Sequence, residues 1–161
     1  MRRVHLAFVL VLFAVPLAAQ QPQPNVPVAV QIESKVLGES RTILVRTPAT
    51  YRTGAQSYPV LYLTDGDRQI EHLSALADFL AREGRIPQTI LVGITNTDRT
   101  RDLTPTRVAA QTLDSQQFNF PTSGGADRFL DFIEQEVMTH VEKNYRTQPY
   151  RVFAGHSFGG I

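Results

Sequence analysis

The sequence predicts an α/β protein, a mostly parallel sheet with an antiparallel start, and three observations carry that reading. Val60–Leu63 and Thr89–Ile94 are short and almost continuously apolar, as strands covered on both faces must be. Stretches with apolar residues at helical spacing lie between and after them, so strand and helix alternate. Ahead of both, Val28–Leu37 alternates loosely and Thr42–Arg46 is β-rich, with Gly38-Glu39 between them, which reads as a hairpin.

The elements follow in order. Met1-Arg2-Arg3 is a basic start to the apolar run Leu6–Leu17, and Ala18-Ala19-Gln20 supplies small residues suited to a signal peptidase. That run falls within the roughly 7–15 residues of a signal-peptide core and short of the roughly 20 needed to span a bilayer. Pro16 ends the helix where the peptidase needs extended chain. Residues 1–20 are therefore expected to be a signal peptide, with an uncleaved anchor or a twin-arginine leader as alternatives. Residues 21–27, rich in Gln and Pro, are expected to be a flexible mature N-terminus, and residues 28–161 the folded domain. The expected location is periplasmic or secreted, without stable membrane insertion after leader cleavage.

After the hairpin and the Val60–Leu63 strand, Asp65-Gly66-Asp67 forms a turn. Ile70, Leu73, Leu76, Ala77 and Leu80 then mark the inner face of a helix starting near Arg68 and stopped by Gly84 and Pro87. The Thr89–Ile94 strand follows. Ala126–Tyr145 places Phe129, Phe132, Ile133, Val137 and Val141 on one helical face, and Arg151–Ala154 is a third strand. Thr95–Gly125 shows no periodicity and is far longer than the usual loop of about 4–6 residues; a cleft-shaping segment and a plain surface loop are both open readings.

Composition excludes several function classes. Lys and Arg number 16 against 15 Asp and Glu, and removing Arg2 and Arg3 with the leader leaves 14. So balanced a charge gives no reason to expect nucleic acid or an anionic surface as partner. The chain has no Cys, which excludes disulfides, thiolate metal sites and a cysteine nucleophile. A metal site on Asp65, Asp67 and Glu71 lacks a further ligand at workable spacing, and no cofactor is expected.

The chemistry concentrates at Gly155-His156-Ser157-Phe158-Gly159, a G-x-S-x-G motif directly after a predicted strand. In that context the serine sits on a sharp strand-to-helix turn of the α/β-hydrolase kind, with its hydroxyl held at the end of the sheet. Glycines flank it because the two arms of the turn leave no room for a Cβ. Ser157 is the expected nucleophile. It requires a histidine to take its proton and a carboxylate to orient that histidine, in the chain order Ser, acid, His. Only Phe158–Ile161 follow, with neither acid nor histidine among them. His5 lies in the leader, His156 sits beside the serine on the elbow, and His72 and His140 fall on helices where surface or packing roles are expected. The chain is accordingly expected to be an N-terminal part of the domain, truncated after the elbow and inactive alone, its last strand left with an open apolar edge. The expected oxyanion donors are the backbone N–H groups of Phe158, just after the nucleophile, and Asp67, in the turn after Val60–Leu63. Gly66 would supply backbone freedom there, and the aspartates would also cap the helix.

Tyr58–Gly66, Val92–Pro105 and Tyr150–Gly160 together resemble the esterase family that includes enterochelin-type siderophore esterases, esterase D-like S-formylglutathione hydrolases, feruloyl esterases and the mycolyltransferases of antigen 85. The resemblance spans roughly residues 28–161, and its middle segment looks most like the siderophore-esterase branch. It implies an α/β-hydrolase fold, Ser157 as nucleophile, and Phe158 and Asp67 as oxyanion donors, with acid and histidine beyond Ile161. It also implies that Asp98–Asp102 lies near the active-site end of the sheet, where Arg99 and Arg101 are expected to form a solvated ion-pair cluster. The function expected is hydrolysis of a small-molecule carboxylic ester through an acyl-enzyme. Acyl transfer on the same fold and a non-catalytic binding module are the alternatives.

Overall fold

The computed structural model describes residues 26–108, 110–113 and 116–160. The expected leader and residues 21–25 lie outside the described residues. Strands β1 (Val28–Ser34) and β2 (Glu39–Arg46) form the expected hairpin, antiparallel in the register Val28 opposite Val45 to Ser34 opposite Glu39. β3 (Tyr58–Leu63), helix α1 (Gly66–Arg82) and β4 (Ile90–Ile94) make the first parallel crossover. A long helical passage then leads to β7 (Thr147–Ala154): α3 (Ala126–Phe132), a π-helical segment (Ile133–Met138) and α4 (Thr139–Asn144). The main sheet has the order β1-β2-β4-β3-β7, with β3 parallel to both β4 and β7 and β2 antiparallel to β4.

Period-two alternation within the central strands decides which side chain faces which layer. Val60, Tyr62, Ile90, Val92 and Ile94 point to one face and pack against Phe129, Phe132, Ile133, Val137 and Val141. Leu63 and Leu91 point to the other and meet Ile70 and Ala77 of α1. This two-sided burial is why these strands read as unbroken apolar runs. The five apolar residues of the second helix are buried as expected; from Ile133 they recur every four residues, a spacing the wider π turn keeps on one face. Leu76 departs from the expectation, standing 49% exposed while Ser74 is buried. The Ser74 hydroxyl reaches the Ile70 carbonyl at 2.6 Å, so a satisfied polar group takes the place expected for leucine.

The segment 95–125 is not a plain loop. It holds α2 (Arg99–Asp102) and the strands β5 (Ala110–Leu113) and β6 (Gln116–Asn119), which pair only with each other as a separate two-stranded sheet. A buried cation ties its start to the body. Arg41 donates to Asp102 at 2.7 Å, to Glu39 at 3.0 Å and to the Thr95 carbonyl at 3.1 Å, with its guanidinium over the rings of Phe129 and Phe132. Arg41 and Asp102 are both almost completely buried, so removing one partner strands a desolvated charge. Arg41→Met is expected to cost about 3 kcal/mol in urea unfolding; an unchanged midpoint would refute that assignment.

At the other edge of the sheet β7 is bonded to β3 on one side, and Tyr150 and Phe153 stand 66% and 44% exposed along it. Among the described residues no helix is long and apolar enough to cross a membrane.

Candidate active site

Two turns meet at the C-terminal ends of the parallel strands, where ligands bind in open α/β sheets. The first leaves β3 through Thr64 and Asp65. Asp65 adopts the left-handed conformation, φ 53°, and Gly66 begins α1 directly against β4. A Cβ on Gly66 would stand 2.3 Å from the Gly93 carbonyl carbon. The conformational freedom expected of Gly66 is thus exercised by Asp65, and Gly66 is required for the close approach to Gly93. Asp65 occupies the cap position but makes no side-chain cap bond, so the expected capping by its carboxylate does not occur. α1 also begins earlier than the expected Arg68.

The second turn leaves β7 at Ala154. Ser157 has φ 58° and opens a 3₁₀ turn, Ser157–Gly160, closed in part by Gly159 N–H to the His156 carbonyl at 3.0 Å. The two arms touch: a Cβ on Gly155 would lie 1.6 Å from the Gly159 carbonyl oxygen, and one on Gly159 would lie 2.1 Å from Thr64 Oγ1. Ser157 itself is exposed and Gly159 buried. The left-handed serine, strained for an L-residue, is held because both glycines admit a fold-back that a side chain would block. Thr64 N–H bonds the Ala154 carbonyl at 3.2 Å, and Thr64 Oγ1 donates to the Gly159 carbonyl at 3.4 Å, joining the turns.

Arg99 joins them more strongly, and its role was not legible beforehand. Its Nε and NH2 donate to the two oxygens of Asp65 at 2.6 and 2.9 Å, NH2 also reaches the His156 carbonyl at 3.4 Å, and the guanidinium carbon lies 5.4 Å from the centroid of the Phe158 ring. One guanidinium therefore contacts both turns. Asn96 adds Nδ2 bonds to Asp65 at 2.8 Å and to Asp67 at 3.0 Å. Asp98, the cap of α2, accepts from Arg101 N–H at 3.0 Å and fixes the short helix that carries Arg99. The expected solvated cluster is instead anchored inside the fold: Arg101 pairs with Glu39 and with buried Asp102, and Arg99 with an Asp65 only 4% exposed.

These contacts set the electrostatics. The hydrogen bonds from Arg99, assisted by Asn96 and outweighing burial, hold the Asp65 carboxyl below its ordinary range, and the same pair raises Arg99. A depressed carboxyl stabilises the fold fully above its unfolded value and loses that contribution as pH falls through the folded one. Asp65→Asn is therefore expected to destabilise at pH 7 by about 2 kcal/mol, with the gap to wild type closing in acid below about pH 4. Urea midpoints at pH 7 and pH 3 measure it; a gap that widens in acid would refute the pairing.

The remaining expected residues are placed as follows. Asp67 is exposed on the first turn of α1, where a helix N–H has no partner four residues back. Phe158 packs edge-on against Phe120, ring centroids 6.2 Å apart, bringing the base of the β5–β6 hairpin to the elbow. A cavity of about 240 Å³ lies on the His156 side of Ser157, lined by Leu63, Thr64, Gln69, Leu73 and Gly155. A smaller one of about 140 Å³ lies on the Phe158 side, against Leu103, Phe129 and Phe153. His72 bonds Gln69 on the exposed face of α1, and His140 lies half-buried on α4. Among the described residues no group of three His, Cys, Asp or Glu converges to hold a metal ion; Asp65 and Asp67 face Arg99 and Asn96 instead.

Comparison with known proteins finds the same α/β fold in esterases and hydrolases. An IroE-like serine hydrolase from Shewanella oneidensis is 39% identical and superimposes with a TM-score of 0.77 over 83% of this chain and 43% of its own. The siderophore hydrolase EstA from Aspergillus nidulans is 27% identical, with a TM-score of 0.70 over 98% of this chain and 55% of its own. The ferri-bacillibactin esterase BesA of Bacillus subtilis is 29% identical over 76% of this chain and 47% of its own. The chain spans about half the length of the curated relatives it matches. The family model described as "Putative esterase" matches residues 34–161, and with the sheet order and the two turns in place the chain belongs to that family.

Proposed function

We propose that this protein is a serine hydrolase that cleaves carboxylic esters through an acyl-enzyme on Ser157. The observation that carries the proposal is the left-handed, exposed Ser157 on a turn whose arms meet at Gly155 and Gly159. Its hydroxyl oxygen attacks the ester carbonyl, and the negative charge that develops on the carbonyl oxygen is received by the backbone N–H groups of Phe158 and Asp67. Collapse expels the alcohol, and water releases the acid in a second step. A histidine moves the proton and an acid orients it; we assign both to chain beyond Ile161, a reading supported by the half-length match to the relatives. The names of the relatives, ferri-bacillibactin esterase and siderophore hydrolase, support a siderophore ester as substrate class. The basic, apolar and small-residue order of residues 1–20 supports their assignment as an export leader.

The test is pre-steady-state hydrolysis of p-nitrophenyl butyrate by the protein translated to its natural stop codon. A burst of one nitrophenol per Ser157, absent from Ser157→Ala, is expected. Turnover that survives the substitution would overturn the proposal.

A further inference from the structure

A cavity of about 470 Å³ lies beside the site but is not part of it. Arg101 lines this cavity, while the neighbouring Asp102 lines the one against Phe158 and Gly159, so the two share one step of α2. The larger cavity is lined by Arg101, Arg107 and Arg128 and, among the described residues, by no Asp or Glu. Arg101 is neutralised by Glu39 and Asp102. Arg128 donates to the neutral Val36 carbonyl, and among the described residues no carboxylate pairs with Arg107 or Arg128.

The hydroxyls and the glycine N–H groups around the cavity are already committed. Thr122 donates to Asp98, Ser123 Oγ to the Val108 and Phe120 carbonyls, Gly124 N–H to Thr104 and Gly125 N–H to the Arg101 carbonyl. The charged donors on this lining are arginines. The wall that carries Arg107 is also well built. Buried Ser123 both accepts from Val108 N–H at 2.8 Å and donates to its carbonyl at 3.0 Å. At Gly124, φ 96°, the backbone passes so close that a Cβ would stand 2.8 Å from Arg107 N. Two cations that no carboxylate pairs among the described residues, on one concave lining, raise the local potential for anions, and the planar fork of arginine matches carboxylate and phosphate oxygens two at a time.

We propose that this cavity is a binding site for a small anion bearing two or more carboxylate or phosphate groups, gripped by Arg107 and Arg128. The concavity selects a small molecule over an extended surface. The site is independent of the ester chemistry at Ser157, and binding is read without any turnover.

The experiment is isothermal titration of the full chain with citrate, and separately with inorganic phosphate, at low and high sodium chloride. The proteins compared are wild type, the single variants Arg107→Gln and Arg128→Gln, the double variant, and Arg85→Gln, an exposed arginine away from the cavity. Circular dichroism confirms that each is folded. Citrate is expected to bind wild type and Arg85→Gln equally, to bind the double variant at least tenfold more weakly (1.4 kcal/mol) and each single variant by an intermediate amount, and to weaken with salt. Equal affinity across all variants, no binding of either anion to wild type, or binding only to phosphatidylglycerol vesicles would each overturn the proposal.

Discussion

Ser157→Ala is expected to lower ester hydrolysis by the natural-length protein on the order of 10⁶-fold, with little change in melting temperature. On the proposed mechanism the activity loss is large because the oxygen removed would form the covalent intermediate, and the proposed oxyanion donors that remain cannot supply a nucleophile. Stability barely moves because Ser157 is exposed and the turn is closed by backbone, Gly159 N–H to the His156 carbonyl. The left-handed backbone adds an independent check. An L-residue there costs roughly 1–2 kcal/mol that glycine does not, so Ser157→Gly should be as inactive as the alanine variant yet more stable by about 1 kcal/mol. Initial rates on p-nitrophenyl butyrate and urea midpoints read the two effects separately. An alanine variant within tenfold of wild type would remove Ser157 from the mechanism.

Gly155→Ala is expected to have the second largest effect, costing about 3 kcal/mol or more and reducing activity at least a hundredfold. The added methyl would stand 1.6 Å from the Gly159 carbonyl oxygen and 2.8 Å from Thr64 Oγ1. The first contact is with backbone, so no side-chain rotation relieves it. The turn must open, and with it go the left-handed Ser157, the amide of Phe158 and the seat of Arg99 against His156 and Phe158. Displacements of about 1 Å in such groups already cost about 10²-fold in rate. Gly160, where a Cβ would approach no closer than 3.2 Å, is the matched control, and alanine there should be much milder. Equal, small effects at both positions would contradict the packing argument.

What could be read in advance, and what could not, follows the range of the forces involved. The hairpin, the two crossover strands and the buried face of the second helix were legible because each rests on local periodicity imposed by burial. Gly155 and Gly159 were legible because a tight turn between strand and helix demands small residues. Short-range pattern fails where the partner lies far along the chain. Arg99 and Asp65 are 34 residues apart and Arg41 and Asp102 are 61 apart, and only the folded sheet brings them together. β5 and β6 leave no pattern in the sequence because they pair only with each other, so the main core imposes no alternation on them. Aspartate in that turn predicts an ordinary cap; its carboxylate is drawn instead to Arg99, where a bidentate ion pair outcompetes a single N–H. Leu76 fits the helical period, yet only part of that face is covered by the sheet.

The most direct test of the central claim is peptide mapping by mass spectrometry after treatment of the natural-length protein with a fluorophosphonate. The reagent phosphonylates an activated serine and ignores the ordinary hydroxyls of the surface. One adduct per molecule, on the peptide containing Gly155–Gly159 and localised to Ser157, is the result the geometry predicts. Labelling of a different serine, or no labelling of an enzyme that still hydrolyses esters, would contradict it.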